Sequence, residues 1–307
     1  HFSYVNIKTK LYAQMRENIA MHFVQAKGIL SQNNGMNIYR GCSHGCIYCD
    51  SRSKCYGFTH AFEDIEVKEN APELLEQALR SKRHKCMIGT GAMCDPYLPS
   101  EKELQLTKKC LELIDRYEYG VTVLTKSNLV LRDLDLLQSI HKKTKAVVQM
   151  TLTTYDEDLC RKLEPNVSTT RERFEVLMRC KESGIPTLVW MTPILPFIND
   201  TRENIEGLLN YCLQAGVQGI LVFDVGVTLR EGDREYFYQA LDRDFPGIRQ
   251  KYVSTYGNAY DIPSPHAKEL MTLIQNTCTA NGMLCSPKEC FTYLHEFPER
   301  YVQQTLF

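Results

Sequence analysis

The stretch GCSHGCIYCD, residues 41–50, carries Cys42, Cys46 and Cys49 in the spacing Cys-x3-Cys-x2-Cys. An odd number of thiols spaced this tightly cannot all pair in internal disulfides. A metal centre is the better interpretation, because thiolates bind both zinc and iron–sulfur clusters. The number of protein ligands then decides which chemistry follows.

Two metal centres fit this spacing. A structural zinc site usually has four protein ligands, and Cys55 could supply the fourth. Zinc-binding cysteines, however, usually come as two separated Cys-x2-4-Cys pairs. An iron–sulfur cluster held by three thiolates keeps one iron open for a small molecule. The spacing therefore favours the cluster, and the zinc site stays as the alternative.

The composition is that of a large globular chain with a near-neutral surface. The sequence has 307 residues, a formal net charge of −1 and 13 cysteines. A chain of this length can bury an ample core, and its net charge gives no global attraction to nucleic acid. Most cysteines stand singly in apolar patterns, which indicates free thiols in a reducing compartment, the cytoplasm. We predict no membrane span, because no run approaches the roughly 18 apolar residues that a span needs.

Strand-like runs alternate with amphipathic runs along most of the chain. Strands are predicted at residues 36–39, 86–88, 121–124, 146–152, 187–191 and 217–223. Helices are predicted at residues 70–81, 100–120, 133–141, 156–163, 170–183 and 200–216. Six β/α units in sequence predict an α/β fold, a partial parallel (β/α)6 barrel whose loops after the strands converge on one face.

We predict three regions in the chain. Residues 1–32 are interpreted as an N-terminal extension and residues 33–225 as the partial barrel. Residues 226–307, where the alternation fades, are predicted to be a mainly helical extension that packs on the barrel. Met21 could be an initiator, which would make residues 1–20 an addition before the natural start.

The cysteine motif and several later segments carry a resemblance to a known family. Cys-x3-Cys-x-aromatic-Cys, with Tyr48 as the aromatic residue, resembles the radical S-adenosylmethionine superfamily. The chain is similar, over about residues 35–225, to the spore photoproduct lyase-like group, often labelled DNA repair photolyases. The segments that carry this similarity are NIYRGCSHGCIYC, GTGAMCDPYLPSE, TKSNLVLRDLDLL, LTTYDEDLCRKLEP and ESGIPTLVWMTPILPFIND.

The resemblance implies a [4Fe–4S] cluster on Cys42, Cys46 and Cys49, whose open iron chelates S-adenosylmethionine. Reduction by a one-electron donor, such as a flavodoxin or a ferredoxin, would cleave the cofactor to a 5′-deoxyadenosyl radical that removes a hydrogen atom from the substrate. The first hypothesis for the substrate is a pyrimidine lesion in DNA, which makes nucleic acid a partner. The second is an RNA base, a peptide or a small molecule. The third hypothesis is not an enzyme at all but a zinc-stabilised binding module. The sequence leaves the oligomeric state open.

Residues after the later strands are interpreted as cofactor contacts. Gly89-Thr90-Gly91 follows the second strand, and glycines let the main chain come close to a ligand. The resemblance implies that this segment contacts the methionine amino group and that Tyr48 lies near the adenine. It also implies that Lys126 pairs with the methionine carboxylate, and Thr151 is placed for the ribose. Arg173 would reach the same carboxylate or form a surface salt bridge.

Cys94 is the candidate catalytic residue. It lies 45 positions after Cys49, and spore photoproduct lyase has a cysteine at a similar distance that returns a hydrogen atom to the repaired thymine. An S–H bond is weak enough to quench a carbon radical; the alternative interpretation is a small loop residue. Asp50 stands where that enzyme has a tyrosine of its radical relay, so Cys94 would have to return the hydrogen atom without that tyrosine or with another, such as Tyr48 or Tyr97.

Three further patterns are given other interpretations. Cys278, Cys285 and Cys290 are not spaced like cluster ligands, so we expect no auxiliary cluster. The basic runs at residues 80–85 and 141–145 end helices that precede strands, which places them on the face opposite the cluster. Arg52 and Lys54 are the better candidates for contacting a phosphate or a carboxylate, because they follow the cysteine loop directly.

Overall fold

The computed structural model describes residues 20–298, so most of the predicted residue 1–20 addition lies outside the described residues. The strands are β1 Met21–Val24, β2 Gly35–Met36, β3 Tyr39–Arg40, β4 Ile65–Lys68, β5 Met87–Thr90, β6 Gly120–Thr125, β7 Ala146–Thr151, β8 Thr187–Trp190, β9 Gly219–Leu221, β10 Gly226–Thr228 and β11 Asp261–Pro263. The helices are Ala71–Ser81, Glu101–Leu104, Leu106–Arg116, Leu134–Lys143, Glu157–Leu163, Thr170–Glu182, Arg202–Ala215, Asp233–Asp244, Ile248–Tyr256, Ala267–Ala280 and Pro287–His295. Short 3-10 turns lie at Asp50–Arg52, Lys54–Tyr56 and Asn128–Asp133.

Six strands form one parallel sheet in chain order, β2-β5-β6-β7-β8-β9. Each neighbouring pair is parallel, with Val121 of β6 opposite Ala146 of β7 and Val148 of β7 opposite Thr187 of β8. The crossovers between them run through the helices. This arrangement confirms the predicted partial (β/α)6 barrel and brings the carboxyl ends of all six strands to one edge.

The barrel is held together by burial on both sides of the sheet. All six residues of β7 are buried, as expected for a parallel strand covered on both faces. The helix Ala71–Ser81 buries Ala71, Leu75 and Leu79, which recur every four residues along one face. The helical spacing of apolar residues in the sequence therefore marks the helix face that packs in the core, and the continuous apolar runs mark the buried strands.

The predicted first strand is wrong in one respect, because residues 36–39 do not form a single strand. Met36 pairs with Thr90 in the barrel sheet, whereas Tyr39 pairs with Val67 in a separate three-stranded sheet, β1-β4-β3. Both Met36 and Tyr39 are buried. The run is apolar throughout because the residues of both strands are buried. The chain nevertheless passes from one sheet to the other between Met36 and Tyr39.

The predicted helix over residues 70–81 is confirmed as Ala71–Ser81, whereas another predicted helix is divided in two. Asn70 does not cap the helix that follows it; its side chain instead pairs with both the N–H and the carbonyl of Ala26, each at 2.9 Å. The predicted helix over residues 100–120 is broken at Gln105, which has a φ of 52°, and ends at Arg116. A full capping box forms instead at Thr169 and Glu172, where the side chain of each residue bonds to the main-chain N–H of the other.

The region after residue 225 packs directly on the cysteine loop. Its short strands β10 and β11 pair in antiparallel register. Phe237, Tyr252 and Ile262 share one buried apolar cluster with Ile47 and Tyr48. The carboxyl-terminal region is therefore part of the wall around the loop, and the exact limits of the three predicted regions stay a prediction. None of the helices within residues 20–298 has the length and apolar character needed to cross a bilayer.

Candidate active site

A cavity of ≈ 650 Å³ opens at the carboxyl edge of the barrel sheet. Most of the site residues predicted from the sequence line it, namely Cys42, Cys46, Tyr48, Cys49, Gly91, Cys94, Lys126 and Thr151. Gly89, Thr90 and Arg173 do not. The loops after the strands therefore converge as expected, with three exceptions that the local contacts explain.

The cysteine loop is held by main-chain contacts on both of its sides. The N–H of Cys42 donates to the carbonyl of Phe62 at 2.9 Å, and the N–H of Ile47 donates to the carbonyl of Leu163 at 3.0 Å. Gly41 has a φ of +85°, and a Cβ there would lie 2.6 Å from the Phe62 oxygen. A glycine is required at this turn, because an L side chain would meet both a strained backbone and a clash.

The environment of the three thiols suits a negatively charged centre. Burial raises the pKa of the Cys46 and Cys49 thiols, while the charge of Lys126 acts in the opposite direction. The neighbouring Cys94 thiol holds the pKa of Cys42 well below its usual range, and His44 adds to this effect. Lys126 thus favours the thiolate form of Cys46 and Cys49, although burial raises the pKa of both overall, and the pKa of Cys42 alone among the three is lowered.

The spacing of the thiols bears on which metal centre they could hold. Within residues 20–298, they do not form a group whose ligand atoms all lie within 4.8 Å of one another. One zinc ion with sulfur ligands at about 2.3 Å would draw them closer than that. Cys55, the candidate fourth zinc ligand, is exposed and does not line the cavity. The donor set fits a cluster better than a single zinc ion.

Asp95 is a site residue that the sequence did not reveal. Its carboxylate accepts hydrogen bonds from the N–H of Tyr97 at 2.9 Å, the Thr125 hydroxyl at 2.7 Å and the N–H of Lys126 at 2.8 Å. It also lies 3.6 Å from Nδ1 of His44. Burial lowers the pKa of His44, but the Asp95 charge and the Cys42 sulfur together outweigh this and raise it overall. Asp95 therefore ties the loop after β5 to the end of β6 and to the cysteine loop.

Gly91 is the part of the predicted glycine segment that lies at the cavity. It has a φ of +100°, and a Cβ there would lie 2.0 Å from the carbonyl oxygen of Leu124. Gly89 and Thr90 belong to β5, which extends further than predicted, and the loop begins at Gly91. The close main-chain approach expected of the whole segment is thus confined to one position.

Lys126 presents a cation to the cavity. Its ammonium lies 5.8 Å from the centre of the Tyr48 ring, and no side chain or carbonyl among the described residues accepts a hydrogen bond from it. Burial lowers the pKa of Lys126, but the neighbouring Cys46 and Glu164 outweigh this and raise it overall. The side chain therefore stays protonated and has donors free for an anionic group.

Arg173 lies behind the cavity wall, in neither of the two roles considered for it. It is fully buried and donates to the carbonyls of Ser168 at 2.7 Å and Thr151 at 2.9 Å. It also pairs with Glu164, which accepts a hydrogen bond from the Tyr48 hydroxyl. Because its donors are occupied, Arg173 is placed to fix Glu164 and, through it, the ring of Tyr48.

Cys94 lines the cavity but is only 7 % exposed. Its thiol donates to the carbonyl of Gly41 at 2.8 Å, and burial raises its pKa well above the usual value. The residue therefore keeps its S–H bond at neutral pH. Tyr97, one of the two candidates for a radical relay, is fully buried with its hydroxyl 3.1 Å from Asp133 and does not line the cavity.

The outer wall of the cavity comes from residues that the sequence did not single out. They are Trp190, Thr192, Pro193, Phe223, Asp224, Gly226, Val227, Thr228, Asp261, Ile262 and Pro263. The Phe223 side chain is 55 % exposed and lies 6.0 Å, centre to centre, from the Trp190 ring. The available signals were the position of Phe223 at the end of the predicted sixth strand and the segment ESGIPTLVWMTPILPFIND, which contains Trp190, Thr192 and Pro193.

The remaining candidate residues lie outside the cavity. Cys278 and Cys285 contact each other near Leu284, which bridges to Gly219 at the amino end of β9. Lys54 pairs with Glu231, and the Arg52 guanidinium stands 4.4 Å from the Phe62 ring and 3.7 Å from the Tyr236 ring, as measured to the ring centres. The cations after the cysteine loop are thus already engaged within the protein.

Comparisons with known proteins agree with this site. The chain is 28% identical over 249 residues to an uncharacterized protein of Mycobacterium tuberculosis, covering 77% of this chain and 70% of that protein. It is 33% identical over 169 residues to an uncharacterized protein of Methanocaldococcus jannaschii, covering 54% and 62%. In fold it is similar to spore photoproduct lyase complexed with dinucleoside spore photoproduct, with a TM-score of 0.61, 14% identity and coverage of 86% of this chain and 81% of that one.

A mutant of spore photoproduct lyase with bound S-adenosylmethionine and dinucleoside spore photoproduct gives a TM-score of 0.59 at 14% identity, over the same shares of the two chains. The family model described as the Radical SAM superfamily matches residues 36–212, more than half of the chain, including the whole cysteine loop. This protein belongs to the radical SAM superfamily, whose members use a [4Fe–4S] cluster and S-adenosylmethionine.

Proposed function

We propose that this protein cleaves S-adenosylmethionine reductively and uses the product radical to remove a hydrogen atom from a substrate in the cavity. The observation that carries the proposal is that the three clustered thiols, Lys126 and Gly91 all line one space of ≈ 650 Å³. When bound, the cluster and its cofactor would supply the 5′-deoxyadenosyl radical. Family membership removes the zinc-stabilised binding module as an alternative.

Each residue of the inner wall has a proposed role. Cys42, Cys46 and Cys49 hold the cluster, and the Lys126 ammonium pairs with the methionine carboxylate. Gly91 lets the main chain approach the methionine end, since there is no Cβ in the way. Tyr48 packs beside the adenine and is held there by its hydrogen bond to Glu164. Thr151 is proposed to lie near the ribose, and Arg173 to act as a positioning residue.

The first candidate substrate is a pyrimidine lesion in DNA. Two observations support it: the fold likeness to spore photoproduct lyase over 86% of the chain, and the exposed ring of Phe223 beside Trp190 at the cavity. Aromatic side chains of this kind stack on nucleobases. DNA repair is therefore the substrate proposal that we would test first.

A second candidate, a peptide or a small molecule, is favoured by the charge of the cavity. Asp50, Asp224 and Asp261 all line it, and of these Asp50 pairs with Arg230 at 3.2 Å. Carboxylates repel phosphate groups, and like charges brought together weaken binding. Arg52 and Lys54, the other cations near the cysteine loop, are engaged with Tyr236 and Glu231 rather than with Asp224 or Asp261. A neutral or cationic substrate would meet no such repulsion.

The two candidates can be separated by isotope transfer. The anaerobic, dithionite-reduced holoprotein is incubated with deuterated candidates: a dinucleoside thymine photoproduct, the same lesion with its phosphate, and peptides. Deuterium in 5′-deoxyadenosine from a lesion supports DNA repair, and transfer from a peptide alone supports the second candidate. Absence of 5′-deoxyadenosine with every candidate and without substrate would contradict the reductive cleavage itself.

Replacing Lys126 by methionine is expected to weaken S-adenosylmethionine binding by about 1.5–3 kcal/mol, because a charge-assisted hydrogen bond is lost. The dissociation constant is measured by equilibrium dialysis on protein with a full complement of iron. Lys109→Met, on the exposed face of the helix Leu106–Arg116, is the matched control and should leave the constant unchanged. An unchanged constant for Lys126→Met would contradict the proposed carboxylate contact.

Replacing Cys94 by alanine is expected to leave the cluster and the cleavage of S-adenosylmethionine intact while diverting the substrate radical to adducts. Cys94→Ser is the matched control, because a hydroxyl keeps the hydrogen bond to Gly41 while its O–H bond is too strong to give up a hydrogen atom. Products are identified by mass spectrometry on the true substrate. Normal products from Cys94→Ser would show that only the hydrogen bond matters, and loss of iron from Cys94→Ala would make the residue structural.

A further inference from the structure

A second group of metal-binding side chains lies outside the cavity, on the three-stranded sheet β1-β4-β3. One ring nitrogen of His22, one of His60 and one carboxylate oxygen of Glu66 all lie within 4.8 Å of one another. His22 and Glu66 are direct register partners on the parallel strands β1 and β4. His60 comes from the segment that leads into β4, and its ring meets the His22 ring edge-on with the centres 4.8 Å apart.

The other nitrogen of each ring already has a partner. Nδ1 of His22 lies 3.0 Å from a carboxylate oxygen of Asp64, and Nδ1 of His60 lies 2.9 Å from the carbonyl of Ala61. Both partners can only accept a hydrogen bond, so each Nδ1 carries the proton and each Nε2 keeps its lone pair. This is the arrangement in which histidines bind metals, with a carboxylate or carbonyl orienting the ring from behind.

Two of the three candidate ligands, His60 and Glu66, keep a polar atom that has no hydrogen-bond or salt-bridge partner among residues 20–298. Nε2 of His60 is buried and finds no hydrogen-bond partner among residues 20–298, which leaves an orphaned polar atom. Glu66 forms no salt bridge with any described residue. Arg40, its register partner on β3, instead donates to the carbonyls of Tyr56 and Gly57. The charge of Glu66 also acts on the nearby Lys68, but without a salt bridge the carboxylate can still balance a bound cation.

We propose that His22, His60 and Glu66 bind one divalent transition-metal ion of the zinc class, separate from the cluster. Two imidazole nitrogens and one carboxylate oxygen suit zinc, whereas calcium and magnesium prefer oxygen ligands alone. The His22 side chain is 38 % exposed, so an ion and a completing water molecule can reach the site. The ion takes three protein ligands.

The position of this site gives it a structural role. The segment that carries His60 also carries Phe62, whose carbonyl accepts the N–H of Cys42. An ion that joins His60 to β1 and β4 fixes this segment and, through Phe62, the turn that carries the first cysteine of the motif. Bound metal therefore stiffens the support of the cysteine loop without entering the cavity.

The first test locates the metal. Holoprotein with its full iron and sulfide content is loaded with zinc, desalted, and examined by metal analysis and zinc X-ray absorption. We expect one zinc per chain with nitrogen and oxygen ligands at about 2.0–2.1 Å and no sulfur ligand at about 2.3 Å. Sulfur ligands would place the zinc on cysteines and overturn the proposal, as would failure to retain any zinc.

The second test uses variants of the ligands. Glu66→Gln keeps the side-chain shape and removes the charge, and His60→Ala removes the orphaned nitrogen; each should weaken zinc binding at least about 10-fold. His84→Ala, at an exposed histidine outside the site, is the control and should bind as the parent does. Unchanged affinity in both ligand variants would overturn the site. Zinc should also slow hydrogen exchange at the peptide containing Cys42 in the parent but not in Glu66→Gln, and equal exchange with and without zinc would overturn the structural role.

Discussion

Replacing Cys42, Cys46 or Cys49 by alanine is expected to remove the cluster and abolish S-adenosylmethionine cleavage. Each thiol lines the same cavity. A cluster that keeps one iron open for the cofactor is held by only three protein ligands, so the loss of any one of them should prevent its binding. Iron and acid-labile sulfide per chain are measured after anaerobic reconstitution, together with 5′-deoxyadenosine formed under dithionite. Both quantities should fall to background in each of the three variants.

Cys55→Ala is the matched control for this experiment. Cys55 is exposed, close in sequence to the motif, and was the candidate fourth ligand of a zinc site. The variant should keep its full iron content and its cleavage activity. Retained cleavage in any variant of the three clustered cysteines would contradict the ligand assignment, and loss of iron from Cys55→Ala would contradict a set of three.

Replacing Arg173 by methionine is expected to lower the free energy of unfolding by about 3–5 kcal/mol, because it leaves the charge of Glu164 buried without its partner. Both side chains are almost inaccessible, with exposures of 0% and 1%. The loss should also free the Tyr48 hydroxyl from a fixed position, since Glu164 is its acceptor. The midpoint of urea unfolding of the anaerobic holoprotein measures the effect.

Two variants distinguish the buried pair from an ordinary salt bridge. Arg179→Met removes an exposed arginine paired with Glu182 on the same helix, and should cost no more than about 0.5 kcal/mol. The double variant Arg173→Met/Glu164→Gln should recover part of the stability lost in Arg173→Met, because no uncompensated charge is left. Equal losses in Arg173→Met and Arg179→Met, or no recovery in the double variant, would contradict the explanation.

The barrel could be predicted from the sequence because its signals are local. Apolar runs such as residues 146–152 and amphipathic runs such as residues 170–183 each carry their own period, and the rule that parallel strands end at one edge then places the loops together. The cysteine spacing and the lysine after β6 needed no further information. These are the features that the structure placed as expected.

The remaining site residues depend on contacts between distant parts of the chain. Asp95 gains its importance from three donors and one histidine that only the fold brings near it. Arg173 has the same helical pattern as a surface arginine, and only its pairing with Glu164 explains its burial. Strands β10 and β11 have three residues each, too few for a period to be read. The roles of these residues depend on their partners and their burial in the fold, and neighbouring residues in the sequence do not reveal either.

The outer wall of the cavity has a consequence for how this enzyme could acquire new specificity. Phe223, Asp224 and the lining residues of β10 and β11 all come after residue 212, where the match to the family model ends. Much of the outer wall is therefore encoded after the stretch that matches the family model, whereas Trp190, Thr192 and Pro193 lie within that stretch. Side chains that face the cavity from the later stretch can diverge while the residues proposed to hold the cluster and the cofactor stay the same. Val227 and Ile262 have less freedom to diverge, because they also pack in the apolar cluster that includes Ile47 of the cysteine loop.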